Sequence, residues 1–349
     1  ATRHPHRAAV VGGGEAMVRE WVFKTMNGSV HAPALKLDSD ASTLRGAFDL
    51  VILLAWPFQC DSTTVAELVI HAAQHSAHKP KIITVVDDAR SAREADFHSL
   101  CNGSARTRNR EIDLHARADL VLTLTDEDRS FLSHRQPKME LRTLPIAIKA
   151  PKRRILAASW SKRKPTVLCF IQRHQASRKG VRWLVRQVWP VVHKAIPDAR
   201  LQVVGDAHLE TEMRIGSDTG VETITSVYTS SGMDSTKAGA LRQALQSARV
   251  VALPILASSS SLTDGSILAL GHGVPLVATV HGARGLLSSR TPGAIAVGRT
   301  KEAFASELIS LLSNESAWRK QQKWASVHIE RHLTVTRLHR ELRRAVNGF

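Results

Sequence analysis

Short apolar segments alternate along the chain with longer segments in which apolar residues recur every three or four positions. The longer type is represented by Thr63–His78, where Val65, Leu68, Val69 and Ala72 fall on one helical stripe. The short segments predict buried strands, which in the first half of the chain are Arg7–Val11, Asp49–Ala55, Lys81–Val86, Asp119–Leu124 and Leu141–Ile146. Buried strands that alternate with helices predict an α/β fold with a doubly wound parallel sheet.

The same alternation starts again in the second half of the chain. The strands predicted there are Thr166–Ile171, Leu201–Val204, Val221–Thr225, Arg249–Leu253, Pro275–Thr279 and Ala294–Val297. Helices are predicted at Val181–Ala195 and Lys237–Ser247, and one or two basic helices at Ser313–Val346. Two halves of this kind predict two Rossmann-like domains with a cleft between them.

A basic segment bounded by prolines, Ala150–Pro165, separates the two patterns. Its cations are Lys152, Arg153, Arg154, Lys162, Arg163 and Lys164. We interpret this segment as an interdomain linker, and the alternative is a patch that binds nucleic acid or lipid. The predicted organisation is an N-terminal domain at residues 1–150, the linker at 151–164, a second domain at 165–325 and a C-terminal helix at 326–349.

Length and composition agree with a globular protein of two domains. The chain has 349 residues, of which 43% are hydrophobic and 23% charged. The longest apolar run, Leu50–Trp56, is far shorter than the roughly 20 residues that span a bilayer. We expect a cytoplasmic location or the cytoplasmic face of a membrane. Since the sequence begins at Ala1 rather than at Met, a leader or anchor could have been removed.

The three cysteines are widely separated, at Cys60, Cys101 and Cys169. This spacing excludes a Cys-x-x-Cys zinc ribbon and argues against a disulfide framework. It is compatible with a reducing compartment, and each cysteine is expected to be a small core or near-surface residue.

The formal net charge of +17 and the pI of about 10.5 change the picture of possible partners. A surface this basic attracts polyanions, which include nucleic acids, acidic membrane lipids and phosphorylated substrates. The alternative is a general preference for Arg and Lys without a specific partner. Aromatic residues make up only 5% of the chain, which is poor material for stacking single-stranded bases. We therefore expect no specific nucleic-acid partner.

Three consecutive glycines, Gly12, Gly13 and Gly14, follow the first predicted strand and precede a predicted helix. Glycines there let the backbone approach a ligand, and the start of a helix offers free N–H groups to an anion. The dinucleotide-binding spacing Gly-x-Gly-x-x-Gly fails because Met17 stands at its last position. The loop is therefore either a binding loop or a tight structural turn.

A second cluster, "FIQRHQASRKG", ends a predicted strand and opens a helix. Arg173 stands at the carboxyl end of the strand and Lys179 at the predicted helix entrance. Ligands of open α/β sheets bind at the carboxyl ends of the strands, where a guanidinium and an ammonium together suit a diphosphate. The alternative is two solvated basic residues.

A third cluster surrounds "SSSSLTDGSILALGHGVP". Thr263 can cap a helix whose first turn contains Asp264 and Gly265, and Gly271 and Gly273 end that helix. Asp264 either contacts a ligand or only stabilises the start of the helix.

The order of these motifs resembles the GT-B glycosyltransferases of the retaining group 1, or family 4, type. The segments "KGVRWLVRQVWPVVHKAIPDARLQVVGD", "ARVVALPI" and "GHGVPLVATVHGARGL" are similar to the C-terminal domain of that class. In the first half, "ITVVDDARSARE" and "RNREIDLHARADLVLTLTDEDRSFL" resemble elements of its N-terminal domain. The resemblance covers the chain from about residue 48 to residue 325.

The resemblance implies that a nucleotide-diphosphate sugar is the donor, that the C-terminal domain holds it and that the N-terminal domain holds the acceptor. It also implies C-terminal helices that pack back on the N-terminal domain. Arg173 and Lys179 match the basic pair that holds the diphosphate, and no metal is then required. Asp88 belongs to the paired acids of the N-terminal domain and is assigned with them as a catalytic residue.

The resemblance also assigns substrate-binding positions. They are Gly12, Gly13 and Gly14 near the phosphates and the acceptor, together with Ser260, Asp264, Gly265 and Ser266 near the donor.

The chain departs from the family pattern at the donor site. The two glutamates that this family usually places around the sugar and the ribose fall on Ser260 and Leu268, and its lysine falls on Gly265. In the first half, the histidine that often follows the paired acids falls on Arg90. Leucine accepts no hydrogen bond, and a serine hydroxyl cannot supply the charge-assisted bond of a carboxylate.

Two hypotheses follow from these departures. The chain is either an active glycosyltransferase with an altered donor site, or a non-catalytic GT-B domain that binds or assembles a polyanionic partner. A third, a nucleic-acid-binding protein, is favoured by charge alone, since no nucleic-acid-binding module is recognisable.

Overall fold

The computed structural model describes sixteen stretches of the chain. They are residues 8–11, 34–35, 50–55, 70–71, 73–75, 79–86, 112–148, 160–171, 175–205, 220–225, 228–229, 232–233, 235–256, 264–286, 293–346 and 348. The chain divides into two compact units. Unit 1 comprises Ala1–Pro145 with Leu338–Phe349, and unit 2 comprises Ile146–Arg337.

Unit 1 contains a six-stranded sheet in the order β2-β1-β3-β4-β5-β6. Its strands are β1 Ala8–Val11, β2 Ala34–Leu35, β3 Leu50–Ala55, β4 Lys81–Val86, β5 Leu120–Thr123 and β6 Leu141–Thr143. All five neighbouring pairs are parallel. All four residues of β5 are buried, which is typical of a parallel sheet covered on both faces.

Helix α1, Asp126–Arg135, follows β5 and begins at a well-formed cap. The backbone N–H of Asp128 donates to Thr125 Oγ1 over 3.0 Å, and this hydroxyl in turn donates to the Asp128 carboxylate over 2.5 Å. The pair satisfies an N–H that the first helical turn otherwise leaves without a partner. Both residues are buried, so the cap also fixes where α1 leaves the sheet.

A buried histidine connects the helical residues 112–115 to β4. Nδ1 of His115 lies 3.0 Å from Thr84 Oγ1, and both side chains are almost completely buried. Burial lowers the pKa of His115 to about 4, because the charged imidazolium loses its hydration there. The imidazole is therefore neutral at physiological pH and is part of the packing of unit 1.

Unit 2 contains a second six-stranded parallel sheet, in the order β14-β13-β12-β7-β8-β9. Its strands are β7 Lys164–Phe170, β8 Arg200–Gly205, β9 Val221–Thr225, β12 Ala248–Leu253, β13 Leu276–Ala278 and β14 Ala296–Val297. Tyr228–Thr229 and Gly232–Met233, β10 and β11, form a small antiparallel ribbon. From β7 the chain builds the sheet towards β9, then returns and builds towards β14. The strand order therefore reverses between β7 and β12.

Helices cover both faces of this sheet. They are α2 Gln175–Trp183, α3 Trp189–Ala195, α4 Ser235–Ser247, α5 Asp264–Gly271, α6 Lys301–Ser313 and α7 Glu315–His332. The last helix, α8 Val335–Val346, follows α7. The π-helical segment Leu184–Val188 joins α2 to α3. From Leu338 onward α8 belongs to unit 1, where Arg142 Nη1 donates to the carbonyl of Arg344 over 3.1 Å.

The side chains of the central strands alternate between two apolar clusters. On β7, Val167 and Cys169 pack with α2, α3 and α6, whereas Leu168 and Phe170 pack with α4, α5 and α7. This alternation follows from the period of two along a strand, and it gives the sheet a core on each face. Burial raises the pKa of the Cys169 thiol, so this cysteine is a core residue as the sequence predicts.

The strands agree with the sequence prediction, and the helix boundaries differ from it. Each predicted strand is present within three residues at each end. The helix predicted at Val181–Ala195 begins six residues earlier, at Gln175, because Gly180 is tolerated inside it. Helix α6 and the short strands β2, β10 and β11 were not predicted. Of Thr63–His78, residues 70–71 and 73–75 are described; all are helical except residue 75, which is in a turn.

Within the described residues, no helix combines the length and the apolar character that a membrane span requires.

The end of the predicted basic linker is part of the folded unit 2. Arg163 is only 3% exposed, and its Nη1 donates to the carbonyls of Leu245 (3.0 Å) and Ala248 (2.6 Å). The sequence predicts a solvated cation in a linker at this position. In the structure the guanidinium is instead bonded to carbonyls more than eighty residues away in the chain. Burial lowers the pKa of Arg163 from its ordinary value. The neighbouring Lys162 and Lys164 are exposed.

Arg163 is one member of an arginine–tryptophan cluster at the amino edge of the second sheet, with Trp160, Arg249 and Trp318. The guanidinium of Arg249 lies 3.8 Å from the ring centroid of Trp160, and its Nη1 donates to Leu312 O over 2.7 Å. Trp318 Nε1 donates to Arg249 O over 2.7 Å. The cluster ties the starts of β7 and β12 to α6 and α7, so its two arginines are structural residues.

Candidate functional site

The carboxyl edge of the second sheet is where the topology predicts a ligand. β7 ends at Phe170 and β12 at Leu253, and the strand order reverses between these two strands. Helix α2 follows β7 on one face of the sheet, and α5 follows β12 on the other. Chains that leave neighbouring strands for opposite faces open a crevice at the edge, with two helix N-termini beside it.

A glycine in α2 fixes this helix against the chain that leaves β12. A Cβ atom added to Gly180 would lie 1.5 Å from the carbonyl oxygen of Pro254, so only glycine fits at this distance. Gly180 and Pro254 are both buried. The second turn of α2 is therefore held directly over the carboxyl end of β12.

A second glycine fixes α5 against the end of β7. A Cβ atom added to Gly265 would lie 2.6 Å from Cδ2 of Phe170 and 2.8 Å from its Cγ. Gly265 is the position onto which the family pattern places a lysine. The Phe170 ring occupies the volume that the stem of such a lysine needs. The loss of this cation therefore has a packing explanation: the first turn of α5 sits too close to β7.

Thr279 joins the chains that leave β12 and β13. Its Oγ1 donates to the carbonyl of Ile255 and accepts from the backbone N–H of Gly282 over 3.1 Å. A Cβ atom at Gly282 would lie 2.4 Å from Leu253 O, so the two chains are in close contact. These contacts make the edge of β12 and β13 a preorganised platform rather than two independent loops.

His281, on this platform, is partly buried. Burial lowers its pKa below the ordinary value, and the nearby charge of Arg284 lowers it further. The imidazole is therefore mainly neutral at pH 7 and adds no fixed charge to the edge.

Six of the residues that the sequence assigns to the site lie outside the described residues, so their placement stays a prediction. They are Gly12, Gly13, Gly14, Asp88, Arg173 and Ser260. Asp264 is the first residue of α5, and only its backbone is described. The structure places Gly265 against Phe170 at the carboxyl edge of the second sheet, and Ser266 follows it in the first turn of α5.

Lys179 is exposed, one residue before the buried Gly180. It is the fifth residue of α2, so it lies in the second turn and not at the helix entrance as the sequence suggests. The exposed ammonium is within the helix that packs over β12, and it projects from a backbone that Gly180 holds in place.

Ser266 and Leu268 show that α5 turns much of its surface towards the interior. Ser266 is completely buried, and Leu268 is partly buried and packs against the apolar cluster that contains Phe170. At the position where the family pattern has its second glutamate, the chain thus has a side chain that stabilises the core. His272 Nδ1 lies 2.8 Å from Leu268 O and closes the end of this helix.

Three residues that shape this edge are not among the site residues predicted from the sequence: Phe170, Gly180 and Thr279. Phe170 and Thr279 stand at the ends of predicted strands, which is the signal that could have identified them, whereas Gly180 lies inside the helix that follows. Their partners, Gly265, Pro254 and Ile255, are remote in sequence, and no local pattern reveals them.

The comparison with protein families matches the domain that contains this edge. Residues 165–314 match the model described as "Glycosyl transferases group 1". Curated proteins give no match to the chain by sequence.

Solved structures with the same fold span nearly the whole chain. Sucrose-phosphate synthase from Thermosynechococcus elongatus is 13% identical, with a TM-score of 0.71 over 98% of each chain. HepE of Anabaena, solved with UDP-glucose, is 11% identical, with a TM-score of 0.65 over 99% of this chain and 100% of its own. A trehalose-phosphate synthase from Burkholderia xenovorans, solved with glucose-6-phosphate, is 10% identical, with a TM-score of 0.63 over 98% of this chain and 100% of its own.

These likenesses show that the chain has the GT-B fold, with the α/β architecture predicted from its sequence. Residues 165–314 are similar in sequence to the group 1 glycosyltransferases.

Proposed function

We propose that this protein transfers a sugar from a nucleotide-diphosphate sugar to an acceptor, with retention of configuration at the anomeric carbon. The observation that supports the proposal best is the interlocked carboxyl edge. There, Gly180 and Gly265 hold α2 and α5 against the ends of β12 and β7 in a group 1 glycosyltransferase domain. The nucleotide sugar in the HepE structure is consistent with a donor of this class.

In this proposal the donor lies at the carboxyl edge of unit 2. Arg173 and Lys179 bind the diphosphate, while Ser260, Asp264, Gly265 and Ser266 border the sugar. The N–H groups at the starts of α2 and α5 add partial positive charge. Gly12, Gly13 and Gly14 lie near the phosphates and the acceptor, and Asp88 acts as a catalytic residue of the N-terminal domain.

The chemistry requires stabilisation of a leaving group. As the bond between the sugar C1 and the phosphate oxygen breaks, the electron pair stays on the diphosphate, and negative charge grows there. Fixed cations that are already in place stabilise this charge without reorganisation, so the proposal needs no metal ion. The acceptor oxygen forms the new bond to C1 on the face that the diphosphate leaves, and its proton is transferred to the departing phosphate.

A second candidate is a GT-B domain that binds a partner without catalysis. The packing of α5 supports it, because Leu268 contributes to the core and Phe170 excludes a lysine at position 265. A donor at this edge would have fewer charged contacts than the family pattern provides. Hydrogen bonds to charged groups contribute roughly 1.5–3 kcal/mol each, so donor affinity would fall substantially.

Thermal unfolding with UDP, GDP, ADP and their sugars tests the donor site directly. We expect one nucleotide to raise the melting temperature of the wild type, since a ligand at about 100 times its Kd adds roughly 2.7 kcal/mol of stability. The Arg173→Ala/Lys179→Ala variant should lose this shift. Arg186→Ala is the matched control, because it removes an exposed cation from the continuation of the same helix.

Two outcomes would contradict the proposal. If no nucleotide shifts the wild type, this chain does not bind a donor at the carboxyl edge. If the double variant keeps the full shift, Arg173 and Lys179 do not hold the diphosphate. Binding of the matching nucleotide sugar without release of its nucleotide, over a range of sugar and lipid acceptors, would favour the non-catalytic candidate.

A further inference from the structure

Helix α7 presents an outward face whose composition differs from the rest of the helix. Its inward face is firmly anchored: Gln321 Nε2 donates to Leu276 O over 2.6 Å, and Gln322 Nε2 donates to Gly273 O over 2.8 Å. Trp318, Ala325 and Ile329 are buried on the same side. These contacts fix the rotation of α7 about its axis, and with it the residues that face outward.

The exposed residues on the outward side include three cations and an indole. Lys320, Lys323, Trp324 and Arg331 are exposed, and their spacings of three, four, seven and eleven residues place them on one side of a helix. Trp324 is 36% exposed and is the one aromatic side chain among the large hydrophobic residues that are exposed in the described stretches. The partly exposed indole therefore lies beside the two ammonium groups on the same side of the helix.

The cations of this face are not neutralised by ion pairs within the described residues. In the described parts of the chain, the side chains of Lys320, Lys323 and Arg331 form no ion pair, whereas Arg319 on the flank is 2.7 Å from Glu315. Glu330 is the one exposed acid beside them. The face therefore carries a local excess of positive charge within a chain whose formal net charge is +17.

We infer that this outward face of α7 binds the anionic surface of a lipid bilayer. Lysines and arginines next to an anionic leaflet are attracted by its surface potential, and an indole places its ring at the level of the headgroups. The cations and the indole occur together on one face of a helix that is anchored on its other side. This combination matches the headgroup region of an anionic bilayer, which is charged and partly apolar. One tryptophan is a small platform for stacking single-stranded nucleic acid, which normally engages several aromatic rings.

The proposed transfer reaction is not a premise here, because the outward face of α7 lies opposite the side on which this helix packs against α5 and β13. Co-sedimentation of the full chain with phosphatidylcholine vesicles, with and without phosphatidylserine, tests it at ~0.1 M salt. We expect binding to the vesicles that contain phosphatidylserine and little binding to the others. Lys320→Glu/Lys323→Glu should weaken the partitioning at least about tenfold.

A matched control separates this face from general electrostatic attraction. Arg186→Glu/Lys194→Glu changes the net charge by the same amount on exposed positions elsewhere in unit 2 and should leave most of the binding. Trp324→Ser should weaken partitioning, whereas Val191→Ser, at a residue that is 43% exposed, should not. Unchanged melting temperatures and nucleotide-induced shifts establish that each variant is folded.

Three results would overturn the inference. They are equal losses in the two charge-reversal variants, wild-type partitioning by Lys320→Glu/Lys323→Glu, or no binding of the wild type to either vesicle. Binding of generic RNA that is lost in Lys320→Glu/Lys323→Glu, without vesicle binding, would assign the face to nucleic acid instead.

Discussion

The two edges of the second sheet are formed by the ends of the same strands, but their positively charged side chains differ in burial. At the amino edge, Arg163 and Arg249 bind main-chain carbonyls and lie against Trp318 and Trp160. At the carboxyl edge, the described contacts between elements are made by Gly180, Gly265 and Thr279 with backbone and an aromatic ring, and Lys179 is exposed.

This difference separates buried and partly buried cations that hold the fold together from a cation that is exposed to solvent. A guanidinium that donates to two or three carbonyls has its hydrogen-bonding capacity occupied and holds the fold together. Lys179, by contrast, is exposed to solvent on a helix that Gly180 packs against Pro254. A high net charge therefore does not by itself indicate a polyanion site, and the location and the partners of each cation decide its role.

The largest effect is expected at the amino edge. Arg163→Met should lower the free energy of unfolding by about 3 kcal/mol, because it leaves the buried carbonyls of Leu245 and Ala248 without their donor. Lys162→Met is the control, since this neighbouring residue is exposed and should change stability by less than about 0.5 kcal/mol. Urea unfolding followed by tryptophan fluorescence measures both. Equal stability of the two variants would refute a structural role for Arg163.

A smaller loss of stability is expected from Gly265→Ala at the carboxyl edge. The new methyl group overlaps the Phe170 ring, and overpacking of this kind costs about 2 kcal/mol. The same substitution in a Phe170→Ala background should cost at least about 1 kcal/mol less, because the ring atoms that it meets are gone. A double-mutant cycle in urea measures this coupling. Additive effects would show that α5 does not rest on Phe170.

The smallest effect is expected from Thr279→Val. The substitution keeps the shape of the side chain and removes the hydroxyl that joins Ile255 O to Gly282 N–H, so we expect a loss of about 1.5 kcal/mol. Thr336→Val, at an exposed position, is the control. Thermal unfolding measures both, and identical melting temperatures would mean that the platform does not depend on this hydroxyl.

Strand positions could be predicted from the sequence, and the contacts between strands and helices could not. Runs such as Leu50–Ala55 and Lys81–Val86 are rich in apolar and β-branched residues. Because a strand of a parallel sheet is buried on both faces, such a run is enough to locate the strand in the sequence. The start of α2 was misplaced because Gly180 suggests a helix entrance, and its packing against Pro254 becomes visible only in three dimensions.

The candidate site was predicted in outline and not in detail. Motif order and strand ends indicated the carboxyl edge of unit 2, and the departures at Gly265 and Leu268 were visible in the sequence. Their physical cause was not, because it depends on Phe170, which lies almost a hundred residues earlier. The same limit explains Arg163, whose bonding partners lie more than eighty residues later in the chain.

Hydrogen–deuterium exchange with and without the nucleoside diphosphate that stabilises the wild type tests the contrast between the two edges most directly. Our account predicts slower exchange in peptides that cover residues 175–180 and 264–268, where α2 and α5 begin. It predicts unchanged exchange at residues 160–164 and 248–250 of the amino edge. Protection at the amino edge, or saturating nucleotide without protection at the starts of α2 and α5, would contradict it.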